Sequence, residues 1–144
     1  MTAVDGLLIG QNVKLTFTDI NGNYNFAILE SFRGMETPTI LSETSIDSQF
    51  RVIKLPKGWS GTFIVQQNND VINQYFSDFE AGFYAGADQV NMTITETITY
   101  QGGVQAQYQY RGCVLTLSDG GEYSGQAIKK QTVSFTASRW QRIL

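Results

Sequence analysis

The sequence of 144 residues contains no histidine, a single cysteine and two prolines. Without an imidazole, Ser-His-Asp hydrolysis, histidine-ligated zinc and imidazole proton relays are excluded. Cys113 has no second cysteine with which to form an intrachain disulfide, and in its strand-like setting it reads as a small core residue. Small secreted domains usually carry paired cysteines, so a reducing origin or an unstapled particle protein is expected. No run approaches the 18 or more apolar residues of a membrane span, and no membrane insertion is expected. The opening MTAVDGLLIGQNVKL has no basic stretch and only a short apolar run, so it does not read as a signal peptide. Charge is scarce as well: Asp, Glu, Lys and Arg make up 16%, against about 25% in an average soluble domain. The surface must present Thr, Gln, Asn and Ser instead, or be covered by partners. A net charge of −3 argues against general nucleic-acid binding.

What is present points to one β-rich domain spanning 1–144. The hydrophobic fraction of 42% suits a packed core, and the length suits one domain without metal or disulfide staples. Val, Ile, Thr and aromatic residues are abundant, which biases the chain toward strands. The charges fall in three blocks. Residues 1–57 hold five bases and six acids; residues 58–110 hold five acids and no base; residues 111–144 hold five bases and two acids. Either the fold interleaves these blocks within one subunit, or acidic and basic faces meet between copies of the chain.

Val13, Leu15 and Phe17 alternate with Lys14, Thr16 and Thr18, and Asn21-Gly22 follows as a hairpin turn. With Phe26, Ile28 and Phe32 on the return, and Glu30 interrupting the alternation, residues 12–33 read as a hairpin. Residues 34–58 are punctuated by Gly34, Pro38 and Pro56 and show no period, apart from a weak strand signal at 48–54. They are nevertheless rich in apolar side chains: Met35, Ile40, Leu41, Ile46, Phe50, Val52, Ile53 and Leu55. An extended loop that reaches a neighbouring subunit accounts for both features; a loop folded over its own core is the alternative. Trp59, Gly61, Phe63 and Val65 mark one face of the next strand. Ile72, Tyr75, Phe76, Phe79 and Phe83 then recur at helical spacing, with Asn69 or Asp70 as N-cap and Gly86 as stop, so a helix is predicted over 70–86 that docks its aromatic stripe on the core.

Residues 90–138 read as long antiparallel strands. Val90 to Tyr100 alternates throughout, with Glu96 alone among apolar neighbours; at about 3.3 Å per residue it spans roughly 36 Å. After Gln101-Gly102-Gly103, a strand from Val104 to Leu117 sets Gln105, Gln107 and Gln109 against Ala106, Tyr108 and Tyr110. A last strand covers about 128–138, with Val133, Phe135 and Ala137 on one face. One polar face, either Thr93/Thr95/Thr97 or Gln105/Gln107/Gln109, is expected to meet water or a lumen. The expected fold class is mainly β, with long antiparallel strands in a sheet that packs on one side, one helix and an extended loop. Low-charge polar strands invite edge pairing, which is harmful in a monomer and useful in a closed ring of subunits.

No catalytic, cofactor-binding or metal-binding constellation emerges. Gly58-Trp59-Ser60-Gly61 and Ser118-Asp119-Gly120-Gly121 read as turns and not as phosphate loops. Asp78 and Glu80 sit on different faces of the predicted helix, unsuited to a glycosidase pair. Asp119 and Glu122 lack the spacing of a calcium loop. Glu96 either pairs with a base such as Arg111 or faces a partner subunit; no partner group at recognisable spacing makes it a catalytic acid. No enzyme activity and no cofactor are expected.

From residue 58 onward the sequence resembles the tail tube proteins of contractile-tailed bacteriophages and related phage-tail-like bacteriocins. The segments that carry the resemblance are Gly58-Trp59-Ser60-Gly61-Thr62-Phe63, Glu80-Ala81-Gly82-Phe83-Tyr84-Ala85-Gly86, Thr93-Ile94-Thr95-Glu96-Thr97-Ile98, Tyr108-Gln109-Tyr110-Arg111-Gly112-Cys113-Val114-Leu115 and Val133-Ser134-Phe135-Thr136-Ala137-Ser138-Arg139. The turn Gln101-Gly102-Gly103 lacks the Asp-Gly of such proteins. The resemblance implies an antiparallel β-sandwich or barrel with one flanking α-helix and an extended loop, and homohexameric rings stacked into a tube in the virion, assembled in the bacterial host cytoplasm. It implies a sheath around the tube, a tape-measure protein inside it, baseplate and tail-terminator proteins at its ends, and transient, non-specific passage of DNA. It makes 34–58 an inter-subunit loop. A tube of a bacteriocin or a type VI-like secretion system, or a monomeric β-barrel holding a small apolar ligand, are the alternatives.

Overall fold

The computed structural model describes residues 13–26, 28–67 and 69–144. The opening segment 1–12, with most of the stretch read as not being a signal peptide, lies outside the described residues, as does the side chain of Ile28. Among the described residues, eight antiparallel strands and one α-helix follow the order β1 (Val13–Asp19), β2 (Gly22–Tyr24), β3 (Ile28–Thr44), β4 (Phe50–Gln66), α1 (Val71–Tyr84), β5 (Met92–Thr99), β6 (Gln105–Asp119), β7 (Lys130–Ala137) and β8 (Arg139–Arg142). The strands are ordered β2-β1-β5-β6-β7-β4-β3, with β8 also on β6. The architecture is therefore mainly β with a flanking helix, as the composition and alternation predict.

Strand β6 joins two halves of the sheet. Up to Cys113 it pairs with β5, over Tyr108–Arg111 it also pairs with β8, and from Val114 it pairs with β7. The change of partner falls at Gly112, whose φ of +66° is costly for any side chain and whose Cβ would strike the side chain of Ser138. The two halves face each other across one core. Phe17, Met92, Ile94, Tyr110 and Cys113 come from the first half, and Phe63, Val65, Leu115, Val133, Phe135 and Ala137 from the second. Phe63 is fully buried and meets Phe17 at 5.1 Å, Phe26 at 6.1 Å and Phe32 at 6.2 Å between ring centroids.

Local details depart from the sequence expectations for physical reasons. The expected hairpin 12–33 is short: β2 pairs with β1 only through Phe17↔Tyr24, Thr18↔Asn23 and Asp19↔Gly22. Phe26 then turns into the core, and Phe32 lies on β3, which pairs with β4. Glu30, the residue that broke the alternation, is the extra residue of a bulge between Leu29 and Ser31, and its carboxylate accepts a 3.0 Å hydrogen bond from Lys130 Nζ. The expected 36 Å strand from Val90 is shorter, beginning at Met92 and ending at Thr99.

The helix starts where its N-cap was expected: the Val71 N–H donates to Asn69 Oδ1 at 3.2 Å. Its first half docks, through buried Ile72 and through Tyr75, which meets Tyr24 at 5.1 Å; Asn73 Oδ1 accepts from the buried Gln131 side chain at 2.8 Å. Its second half does not dock as expected: Phe79 is partly exposed and Phe83 is 70% exposed. The helix axis leaves the core after Phe76, so only part of the aromatic stripe is covered.

Because Phe63 is the ring against which three others rest, Phe63→Ala should cost about 3–5 kcal/mol in denaturant unfolding of the subunit. Ile53→Ser, on an exposed strand, should change it by no more than about 0.5 kcal/mol.

Candidate assembly surfaces

The segment 34–58 is extended, as expected, and it is also paired. Its two strands form a ladder from Pro38↔Pro56 to Thr44↔Phe50. A tight turn closes it: Ser45 N–H donates to Gln49 O at 2.9 Å, and Asp47 accepts from the Ser45 hydroxyl and from the Gln49 N–H. Those two bonds, the Ser45 hydroxyl first, hold the Asp47 carboxyl below its ordinary range. At the base of this arm the register slips between Glu36↔Trp59 and Pro38↔Pro56, so Thr37 stands against Lys57 and Gly58.

Every one of the predicted contact residues is exposed on the arm: Met35, Ile40, Leu41, Ile46, Phe50, Ile53 and Leu55, together with Val52. The arm does not fold back over its own core. Neighbours across the ladder share a face, and successive residues alternate. One face therefore carries Leu41, Ile53 and Leu55, and the other Ile40, Val52 and Phe50. Exposure is similar on the two sides, 52% for Leu41 and 58% for Ile53 against 63% for Ile40 and 57% for Val52. Four of its ionic groups pair internally: Lys54 with Glu36, and Arg51 at 3.7 Å from Asp47.

The second surface is the outer face of β1, β5, β6 and β8. The two alternative triplets belong to one face, because β5 and β6 are neighbours in register: Thr95↔Gln109, Thr97↔Gln107 and Thr99↔Gln105. The Gln107 amide donates to Thr97 Oγ1 at 3.3 Å and the Gln109 amide to Thr95 Oγ1 at 3.5 Å. Thr93, Thr95 and Thr97 are flanked on the other side by Thr18, Thr16 and Lys14. The result is a continuous Thr/Gln carpet with side-chain amides bridging strands. The charged residues on this face are Lys14, Arg111 and Arg139, and the last two are direct cross-strand neighbours.

Glu96 lies on the opposite, inward face, in the row Leu15–Glu96–Tyr108, so it cannot meet Arg111. It is half-buried, and burial pushes its carboxyl above the usual carboxylate range. Burial likewise pushes the Cys113 thiol up to about 12, and its Sγ donates to Tyr110 O at 3.1 Å, consistent with a small, unreactive core residue. A groove of about 460 Å³ runs between α1, the β1–β2 turn and residues 87–90, with aromatic walls from Tyr24, Tyr75, Phe79 and Phe83 and a rim of Asp19, Asp78 and Asp88. Among the described residues no three metal-ligating side chains cluster.

Chains in several solved assemblies share this fold. One from the cryo-EM structure of the anti-feeding prophage cap, the tube terminating cap, matches with a TM-score of 0.65 at 11% identity, over 99% of this chain and 95% of that one. One from the sheath/tube terminator of the PVC extracellular contractile injection system, in its extended state, matches with a TM-score of 0.67 at 9% identity, over 99% and 100%. One from the PVC sheath–tube complex matches with 0.63 at 11% identity, over 90% and 89%. No family model and no curated protein matches the sequence. The chain thus has the fold of components of phage-tail-like contractile assemblies.

A carboxyl whose pKa is raised by burial favours the folded state at low pH and stops doing so as pH rises through its folded-state pKa. Glu96→Gln should therefore melt above the parent subunit near pH 7, and the difference should shrink as pH falls below the ordinary carboxylate range, where Glu96 is protonated in the folded and the unfolded chain alike; differential scanning calorimetry across that range checks it.

Proposed function

We propose that this chain is the structural subunit of the inner tube of a contractile, phage-tail-like particle, in which six copies close into a ring and rings stack into a hollow cylinder. The observation that carries this reading is the arm. It is a ladder of ordered backbone with large apolar side chains exposed along its length, and an isolated two-stranded hairpin is marginal in water. Covering it with other copies removes that cost. The free strand edges and the low charge of the body support the same reading.

In this reading the Thr/Gln carpet lines the lumen, and the tube sits within a sheath, around a tape-measure protein, between baseplate and terminator proteins in the virion or particle. Passage of DNA is the cargo suggested by the phage resemblance. Lys14, Arg111 and Arg139 on the carpet bear on that point, since each cation facing a polyanion adds affinity through counterion release. This favours the second reading, in which the tube belongs to a bacteriocin-like or injection particle that carries no genome. A monomeric carrier of a small apolar ligand fits less well, because the groove beside α1 is rimmed by three carboxylates and the arm is left without a purpose.

Negative-stain microscopy of the purified chain should reveal stacked rings. Replacing residues 39–55 by a short Gly-Ser turn should abolish stacking while leaving the subunit's melting unchanged, and a monodisperse monomer at all concentrations would overturn the reading. In assembled tubes, Thr95→Cys should react with a small maleimide and resist one carried on a bulky dextran. Equal reaction with both would place the carpet outside the lumen.

A further inference from the structure

We infer that the arm is a two-sided key, seated in a cleft between two other copies of this chain, so that each arm ties three polypeptides together. The inference rests on the tube reading and adds to it the number of partners and the faces that meet them.

A β-ribbon laid on one surface needs apolar residues on one face and polar residues on the other. Here the ladder register puts Leu41, Ile53 and Leu55 on one side and Ile40, Val52 and Phe50 on the other, all exposed. One covering surface would leave three of these in water, and the second set is as large as the first. Residues 36–58 contain three acids and three bases, so the arm is neutral. Four of those six pair within it, as Lys54–Glu36 and Arg51–Asp47. Both faces can therefore be desolvated without stranding an unpaired charge in those pairs. A neutral, internally paired ribbon offers little to a strongly charged partner and fits an apolar, charge-poor one. This chain meets that description: it is itself only 16% charged, and its body exposes Ile20, Val104 and Ile128. Among the described residues, β3 is the strand paired with Phe50–Pro56, and the pairing of β4 with β7 begins only at Trp59.

The test uses the assembled particle. The photoreactive residue p-benzoylphenylalanine is placed at Leu41, at Val52, or at both, and the substituted chain is diluted into a large excess of unsubstituted chain before assembly. After irradiation, each single substitution should give a two-chain product, the two products should map to different surfaces, and the double substitution should give a three-chain product. A double substitution that yields only two-chain products overturns the inference while leaving the tube reading intact. Should the probes disturb assembly, the paired variants Leu41→Ser with Ile53→Ser and Ile40→Ser with Val52→Ser decide the matter. Each should lower the assembled fraction in sedimentation about tenfold or more, with subunit melting unchanged. If either pair assembles like the parent, one face is dispensable and the inference fails. If the unsubstituted chain itself never assembles, the tube reading fails first, and that outcome is distinct from the others.

Discussion

The contacts of Phe17, Phe26 and Phe32 with Phe63 hold the two halves of the sheet against each other, and the remainder of the molecule is positioned by them. Phe63 lies on the same strand that later becomes one side of the arm. A ring fully buried in the body therefore fixes the direction in which residues 38–56 project. The adjoining Gly61 serves the same packing: a Cβ there would strike the Arg33 carbonyl and the Phe135 ring, so β3 and β4 approach as closely as they do only because the position has no side chain.

The body is self-sufficient in the usual way, with an apolar interior and its buried Gln131 hydrogen-bonded to Asn73. Its two outward features are of opposite character. The arm is largely apolar and pairs four of its six charges internally; the carpet is polar, nearly uncharged at its centre, and carries Lys14, Arg111 and Arg139 toward its ends. One surface is made for loss of water and the other for retaining it. The polar surface arises from the period-two alternation of β5 and β6, which sends their Thr and Gln to one face.

Much of this was legible from residues alone. Alternation located β1, β5, β6 and β7, and the helical stripe located α1 to within two residues at each end. Glu30 was legible as a break in the alternation; that the break is a bulge shows only in the pairing of β3 with β4. What was not legible depended on partners distant in sequence. Phe26 and Phe32 alternate as a return strand should, but pairing is chosen by packing, and β3 belongs to β4. The arm was read as an aperiodic loop for an instructive reason: a ribbon apolar on both faces has no period to detect. Strand β8, Arg-Trp-Gln-Arg, is too short and too charged to register, and it is held as the continuation of β7 along β6. The two lumen candidates were treated as alternatives because register between neighbouring strands is invisible until the turn between them is built.

The joint at the root of the arm has a mechanical consequence. Pro38 and Pro56 stand opposite each other, neither able to donate a backbone hydrogen bond, and the register slips beside them. The hydrogen-bonded track of the projecting ribbon is thus interrupted before it reaches the barrel-like body. A load applied at the tip would bend the molecule at this seam, and the aromatic interior would be spared the unzipping that an unbroken ladder would pass down to it.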